Sequence, residues 1–169
     1  MRFAIRPAKL ADAEGIARAH TASWRTSYRG ILPDAVLAQI DVDQRAESWR
    51  RTLQDRSILT LVAYDTTHHD IVGLCDAGRN RSPTGHAAEV YRLYFEHHAR
   101  RHGLGREMFE QITDWLRTQQ LRSLVIWVLD NNHHARRFYE AMGGRAGGQL
   151  HSRVSGYPVL EQSYVWDSL

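Results

Sequence analysis

The sequence contains a single cysteine and no long run of apolar residues. Because Cys75 has no partner among the 169 residues, neither an internal disulfide nor a cluster of thiolates around a metal can form, which favours a reducing compartment. The longest apolar run, Leu124 to Leu129, has six residues. A helix that crosses a membrane needs about 20. We therefore expect a soluble, cytoplasmic protein without a membrane-spanning segment.

Lysine is nearly absent, and arginine carries the positive charge. Lys9 is the one lysine, and arginine supplies the other 21 of the 22 basic residues. Guanidinium binds phosphate through two parallel hydrogen bonds, so this bias suits recognition of an anion. Ordinary solvated surface charge is the alternative for most of these positions. Since the arginines form no dense basic stripe, a nucleic-acid partner is not expected.

The apolar pattern predicts one mixed α/β domain that covers residues 1–169, with 43% apolar content to build its core. Strands are predicted at Arg2 to Arg6, Leu59 to Tyr64, Ile71 to Asp76, Ala88 to Phe95, Leu124 to Leu129, Arg145 to His151 and Pro158 to Trp166. Helices are predicted over Asp12 to Ser23, over Asp34 to Leu53 with a break near Asp41, through Leu104, Met108, Ile112 and Leu116, and over His133 to Met142. Loops are predicted at Trp24 to Pro33 and at Asn80 to His86.

The segment that follows Phe95 has the form of a phosphate-binding loop. Successive N–H groups at the start of a helix can point at one spot, and the helix dipole adds positive potential there. Gly103 and Gly105 allow a phosphate to approach the backbone closely. Arg100, Arg101 and Arg106 add charge. The loop alone also fits a tight turn without a ligand.

Other nucleotide-binding motifs are missing from the sequence. The third glycine of G-x-G-x-x-G is replaced by Met108, and no G-x-x-x-x-G-K-[ST] occurs. The sequence therefore lacks the main motifs expected of a nicotinamide-dependent enzyme or of a nucleotide hydrolase.

A second group of polar and aromatic residues follows the apolar strand Leu124 to Leu129. Asn132 can cap the next helix, or its amide can serve a ligand that lies across the strand end. Phe138 and Tyr139 lie about two helical turns further along. We predict that Phe138 packs in the core. Tyr139 is then expected to project towards the edge where the phosphate loop begins, where its hydroxyl could donate a proton.

These two motifs resemble the signature of the GNAT superfamily of acyl-CoA N-acyltransferases. The family's first motif, a hydrophobic-aromatic-hydrophobic strand end followed by Q/R-x-x-G-x-G/A, corresponds to Leu93-Tyr94-Phe95 and Arg100 to Gly105. The family's second motif, N-x-x-A-x-x-F/L-Y-x-x-x-G-F, corresponds to Asn132, Ala135, Phe138, Tyr139 and Gly143. Gly144 replaces the final aromatic residue, and His97 stands where the family often has proline.

The resemblance implies a fold and a co-substrate. The fold is a mixed, mostly antiparallel sheet of six to seven strands, flanked by about four helices, with a splayed central strand pair that forms the acyl-CoA cleft. The co-substrate is acetyl-CoA, with no metal. The implied cofactor-binding residues are Leu93, Tyr94, Phe95, Arg100, Arg101, His102, Gly103, Leu104, Gly105, Arg106, Asn132, Ala135, Phe138 and Tyr139.

The resemblance also implies direct attack of an amine on the thioester. A backbone N–H near Phe95 would polarise the carbonyl, and Tyr139 would protonate the leaving thiolate. Glu89 is the implied general base, acting directly or through water. The alternative for Glu89 is a salt bridge or a solvated strand end.

The resemblance further places Trp24, Tyr28 and Arg29 where the family's first helices line the acceptor site. Core packing is an equally good interpretation of these residues. Trp127, inside an apolar strand, is interpreted as a packing residue.

Three histidine pairs do not suggest a metal site. Adjacent residues on a strand point to opposite faces, and no H-E-x-x-H motif is present.

The expected partner is a small-molecule or peptide amine, and a homodimer is a further expectation. Two other functions stay open: a non-catalytic acyl-CoA sensor, and a nucleic-acid-associated acetyltransferase that acts on protein or tRNA.

Overall fold

The computed structural model describes residues 2–169 and contains a seven-stranded sheet with the order β1-β2-β3-β4-β5-β7-β6. The strands are β1 (Phe3–Pro7), β2 (Leu59–Asp65), β3 (Ile71–Arg79), β4 (Ala88–Phe95), β5 (Leu124–Leu129), β6 (Arg145–Val154) and β7 (Tyr157–Trp166). Within this range β4 and β5 are the one parallel pair, and the remaining neighbours are antiparallel. The predicted mostly antiparallel sheet is confirmed.

Five α-helices flank the sheet in residues 2–169, where the sequence predicted about four. They are α1 (Ala13–Ser27), α2 (Asp34–Ala38), α3 (Val42–Gln54), α4 (Leu104–Thr118) and α5 (His133–Ala141). The predicted break near Asp41 separates α2 from α3. Asp41 Oδ1 accepts hydrogen bonds from the N–H groups of Asp43 and Gln44, at 2.9 and 3.0 Å, and so caps α3. None of these helices has the length and apolar character needed to cross a bilayer.

Helix α1 is longer than the sequence predicted. The loop was expected to begin at Trp24, but the helix continues to Ser27, and the Tyr28 N–H donates to the Trp24 carbonyl at 2.9 Å. No glycine or proline interrupts the chain between Gly15 and Gly30, so nothing local ends the helix earlier. Trp24 therefore projects from a helix.

The sheet is covered on both faces. On β3, Leu74 packs in the cluster formed with α1 and α3, whereas its neighbour Cys75 packs in the cluster that includes Met108 and Ile112 of α4. Because neighbouring strand residues point to opposite faces, these two clusters lie on opposite sides of the sheet. Leu104, Met108, Ile112 and Leu116 are all buried, as the period of α4 predicts.

Strands β4 and β5 part soon after they meet. Their pairing covers Ala88 to Val90 opposite Leu124 to Ile126 and then stops. On the other edge of β4 the pairing with β3 contains a bulge, since Ala77 pairs with Val90 but Asp76 pairs with Arg92, which leaves Tyr91 as the extra residue. A bulge bends and twists its strand, and in residues 2–169 the β4 segment beyond Val90 has no strand partner on its β5 side.

Candidate active site

A long cleft of about 790 Å³ occupies the gap between β4 and β5 and continues to the start of α4. It brings together most of the residues that the two motifs single out. These residues are Leu93, Tyr94, Phe95, Arg100, Arg101, Gly103, Leu104, Gly105, Arg106, Asn132, Ala135, Phe138 and Tyr139. The side chain of His102 lies outside this cleft and packs on Phe3, with 5.0 Å between the ring centroids.

The loop at the mouth of the long cleft presents unpaired N–H groups. Arg101 and Gly103 both have positive φ, 63° and 82°, and α4 begins at Leu104. The first amides of a helix have no acceptor within it. In the described chain, the N–H groups of residues 101–106 donate to no protein acceptor. This arrangement has the geometry of an anion-binding nest at a helix N-terminus.

Arg100 fixes this loop to its surroundings. Its Nε donates to the Phe95 carbonyl at 3.1 Å, and its Nη2 donates to Ser27 Oγ at 2.8 Å. Burial lowers the pKa of this guanidinium, but a free guanidinium has such a high pKa that the charge is kept. Arg100 thus joins β4, α1 and the loop beside the long cleft.

Gly105 is required for packing at the start of α4. A Cβ on Gly105 would lie 3.3 Å from Phe138 Cε2, so the glycine lets α4 and α5 approach each other closely.

Tyr139 is more deeply buried than the sequence predicted. Phe138 was expected to be the core residue of the pair, but Tyr139 is 5% exposed and belongs to the core cluster, whereas Phe138 is only half-buried and packs against it. Burial is the main cause that raises the pKa of Tyr139 above its ordinary value, and Tyr94 and Cys75 add to it. Tyr139 is thus a buried residue that also lines the long cleft.

Asn132 caps α5, and it also lines the long cleft. Its Oδ1 accepts from the Ala135 N–H at 3.2 Å, which is the capping role anticipated from the sequence. Its amide nitrogen donates to no acceptor in residues 2–169, so the ligand role stays available as well.

A second, aromatic cavity of about 500 Å³ adjoins the long cleft. Five residues line both spaces: Tyr28, Tyr91, Arg92, Tyr94 and Trp127. The aromatic cavity is closed by α1, by the loop before β4 and by the β6–β7 hairpin. The two spaces therefore meet where β4 and β5 separate.

Glu89 lines the aromatic cavity just before the strands separate. It is half-buried, and its Oε2 accepts from the Arg81 N–H at 2.9 Å. Burial raises the pKa of this carboxyl, the Arg81 N–H and charge act in the opposite direction, and Glu161 raises it further. No side-chain ion pair to Glu89 exists in residues 2–169, so the salt-bridge interpretation has no support there.

The three predicted acceptor-site residues lie in different environments. Trp24 and Tyr28 line the aromatic cavity, with their ring centroids 4.8 Å apart, and Tyr28 is also buried against Leu32 and Leu129. Tyr28 and Tyr94 share a hydrogen bond of 2.9 Å between their hydroxyls. Arg29 is exposed and lines neither space, because it lies past the end of α1 in the following turn.

Comparison with known proteins agrees with this geometry. The model of the acetyltransferase (GNAT) family matches residues 19–144. The chain belongs to the GNAT family of acetyltransferases. The resemblance inferred from its two motifs is thus confirmed, and the protein is an acetyl-CoA-dependent N-acetyltransferase.

Several relatives share the whole length of this GNAT chain. It is 26% identical over 166 residues to the uncharacterized N-acetyltransferase YuaI of Bacillus subtilis strain 168, which covers 98% of this chain and 93% of YuaI. The PaiA N-acetyltransferase of Thermoplasma acidophilum, solved in complex with coenzyme A, has a TM-score of 0.73 at 17% identity. The superposition covers 96% of this chain and 98% of the PaiA chain. An acetyltransferase of Thermus thermophilus has a TM-score of 0.72 at 21% identity, and the superposition covers 98% of this chain and 97% of the Thermus chain.

Sequence reasoning missed three residues of this GNAT site. Trp127, interpreted as packing, lines both spaces. Glu161 reaches the aromatic cavity from β7, and Arg92 reaches it from β4, where it pairs with the buried Asp76. Asp76 and Arg92 have opposite charges on two successive predicted strands, which was an available signal for that pair. Glu161 had no local signal, because its position depends on β7 lying beside β5.

Proposed function

We propose that this GNAT enzyme transfers an acetyl group from acetyl-CoA to a primary amine that attacks the thioester directly in a ternary complex. The main observation behind the proposal is that the long cleft and the aromatic cavity meet where β4 and β5 separate. One space has unpaired backbone donors at its mouth, and the other contains the carboxylate of Glu89. Two substrates can approach one point from these two spaces.

The nest at residues 101–106 holds the pyrophosphate of acetyl-CoA in this proposal. Its N–H groups need no rearrangement to bind an anion, and the dipole of α4 adds positive potential. The guanidinium groups of Arg101 and Arg106 add charge at the same mouth. The unpaired side of β4, from Tyr91 to Phe95, offers backbone groups to the pantetheine arm and an N–H for the thioester carbonyl.

Glu89 is the proposed general base. An alkylammonium has a pKa near 10 and must lose a proton before its nitrogen can attack. Burial raises the pKa of Glu89 above the ordinary value of 4.5, which makes the carboxylate a stronger base than a solvated one. Proton transfer proceeds directly or through one water.

Tyr139 is the proposed general acid for the leaving thiolate. Its raised pKa keeps the hydroxyl protonated, so it can always act as a hydrogen-bond donor. Its buried position in the wall of the long cleft supports this role.

Direct attack is favoured over an acyl-enzyme because the one thiol is a poor nucleophile. Cys75 is fully buried in the sheet, and burial raises its pKa well above the ordinary value, so the reactive thiolate does not form. Residues 1–169 are proposed to act as one catalytic domain. A homodimer and a cytoplasmic location stay predictions from the sequence.

The test is an acetyl-CoA consumption screen against a panel of primary amines, with free CoA measured and the product identified by mass spectrometry. The proposal predicts release of CoA together with an N-acetylated product, and initial-rate lines that intersect when both substrates are varied. Acetyl-CoA binding without CoA release for any amine would instead support the non-catalytic sensor. Parallel initial-rate lines would contradict the ternary complex.

A further inference from the structure

His20 of α1 lines the aromatic cavity, and its ring carries a buried N–H that donates to no acceptor in residues 2–169. Trp49 Nε1 donates to His20 Nδ1 at 3.3 Å, so the proton of the neutral ring is on Nε2. Nε2 is buried and has no partner in residues 2–169, and His20 as a whole is only 6% exposed. The ring is held in place by stacking on Tyr94, with 4.9 Å between centroids. A buried donor without an acceptor destabilises the fold, so an oxygen atom from a ligand or a bridging water is the expected partner.

The surroundings of His20 are electropositive. Burial lowers the pKa of His20 to about 2, and the guanidinium groups of Arg45 and Arg92 lower it as well. Arg45 has no carboxylate partner in the described chain and lies over the Trp24 ring at 5.2 Å. Arg92 gives Nε and Nη2 to Asp76, which leaves its Nη1 without an acceptor in residues 2–169. Arg92 also lines the aromatic cavity, so an anion on this side would find unused donors.

The aromatic cavity is electronegative where β4, β7 and the loop before β4 close it. Glu89 and Glu161 both line it, and neither forms an ion pair with a side chain of residues 2–169. Glu161 raises the pKa of Glu89, so the two carboxylates interact electrostatically. Arg81 offsets them in part, but its guanidinium lies 4.0 Å above the Tyr91 ring. This side therefore favours an ammonium group.

We infer that the acceptor is a zwitterionic amino acid with an aromatic or large aliphatic side chain. Its ammonium group faces Glu89 and Glu161, and its carboxylate faces Arg92 and the His20 Nε2–H, directly or through one water. The rings of Trp24 and Trp127 and the side chains of Leu129 and Leu150 give the remaining walls an apolar surface. Trp127 adds a buried indole N–H that has no acceptor in residues 2–169.

This inference rests on the proposed acetyl transfer and specifies its acceptor. The ammonium gives one proton to Glu89, and the freed nitrogen lone pair forms the bond to the acetyl carbon. The carbon–sulfur bond breaks, and the thiolate receives the proton of Tyr139, which is restored from solvent. The nitrogen gives its second proton to solvent through a water as the amide forms, and Glu89 returns the first proton to solvent, so the products are an N-acetylamino acid and CoA.

Matched acceptors test the inference, since each amino acid has a corresponding amine that lacks only the carboxylate. The pairs are phenylalanine with phenethylamine, tryptophan with tryptamine, and leucine with 3-methylbutylamine. We expect kcat/KM for the preferred amino acid to exceed that of its amine by about tenfold or more, because a site built to hydrogen-bond a group rejects the analogue that lacks it. A diamine, 1,4-diaminobutane, is included because two carboxylates could instead hold two ammonium groups.

Two variants each remove one N–H donor and leave an aromatic ring at the same position. His20→Phe and Trp127→Phe are each expected to lower the ratio of kcat/KM between amino acid and amine, by about tenfold for His20→Phe. The exposed Arg117→Gln on α4 is the control and keeps the wild-type ratio. Circular dichroism and acetyl-CoA binding identify a variant that fails to fold, and the substrate ratio of the wild-type protein alone still decides the inference.

Each outcome has a clear meaning. Equal or faster turnover of the amines, or preference for the diamine, overturns the inference and leaves the proposed acetyl transfer standing. Binding of acetyl-CoA without turnover of any acceptor overturns both. An unchanged ratio in both His20→Phe and Trp127→Phe overturns the assignment of the carboxylate to this side of the aromatic cavity.

Discussion

The Arg100 side chain donates from Nε to the carbonyl oxygen of Phe95 at 3.1 Å and so ties the phosphate loop to the end of β4. The same guanidinium holds Ser27 at the end of α1 at 2.8 Å. The end of α1, which is 73 residues away in sequence, thus meets the end of β4 and the phosphate loop at one side chain. This arrangement orients the backbone donors of the loop relative to the strand that borders the long cleft, before any ligand binds.

Replacement of Gly103 tests the nest. Gly103→Ala is expected to weaken acetyl-CoA binding by about tenfold or more, because a Cβ disfavours the φ of 82° and turns the neighbouring N–H groups away from the anion. Isothermal titration calorimetry measures the affinity.

Gly156→Ala is the matched control for that experiment. Gly156 has φ of 81°, and no atom lies within 4 Å of a Cβ built at either glycine. Both variants should lose about 1–2 kcal/mol of stability from the left-handed backbone. Equal acetyl-CoA affinity in the two variants would contradict the nest.

Removal of the Tyr139 hydroxyl tests the general acid. Tyr139→Phe is expected to lower kcat by about 100-fold, because the thiolate must then leave without a proton donor. Acetyl-CoA affinity should change little, since the ring stays in the core. The control Tyr157→Phe removes an exposed hydroxyl from the β6–β7 hairpin and should keep wild-type kcat. A wild-type kcat in Tyr139→Phe would remove this residue from the reaction.

The pH profile tests Glu89. A base must be ionised, so wild-type kcat/KM should fall as the pH drops below the raised pKa of this carboxyl and stay level above it. In Glu89→Gln the free amine must form in solution, so kcat/KM should be lower and should rise about tenfold per pH unit towards the amine's own pKa near 10. The exposed Glu47→Gln should keep the wild-type shape. A level profile in Glu89→Gln would show that another group removes the proton.

The stability of the protein should depend on the protonation of His20. Its pKa is lowered to about 2 in the fold, whereas an unfolded histidine titrates near 6.5. Between these values the unfolded state binds the additional proton, so stability rises with pH and falls as the pH drops below about 6.5. The loss that His20 causes should be about 2 kcal/mol at pH 5.

Urea unfolding at pH 7 and pH 5 measures this effect. The drop in unfolding free energy should be smaller in His20→Phe than in the wild-type protein by about that amount. An NMR titration in which the His20 ring protonates near pH 6.5 in the folded protein would contradict the prediction.

The sequence predicted those parts of the site that depend on short-range spacing. Gly103 and Gly105 come directly before and within the first turn of α4, and Asn132 comes directly before α5, so their positions follow from the element boundaries alone. The position of Tyr94 on β4 likewise follows from the apolar pattern that predicts this strand. The seven strands followed from the local apolar patterns, and their mostly antiparallel arrangement followed from the family resemblance.

Residues whose role depends on long-range packing were missed. The burial of Tyr139 rather than Phe138 is decided by how α5 packs on the sheet, where Tyr139 contacts Tyr164 of β7 with 6.0 Å between ring centroids. Glu161 enters the aromatic cavity because β7 lies beside β5, which no local pattern encodes. The family resemblance placed Arg29 at the acceptor site, but it lies in the turn after α1, where it is exposed and lines neither space.

The most direct test of the account follows the backbone amides of the protein by two-dimensional ¹⁵N–¹H NMR during titration with CoA. We predict that the amide signals of residues 101–106 shift together to saturation, because these N–H groups gain their first acceptors, whereas those of Ser155 and Gly156 at the tip of the β6–β7 hairpin do not. Saturation of the protein with CoA while the signals of residues 101–106 stay unchanged would contradict it.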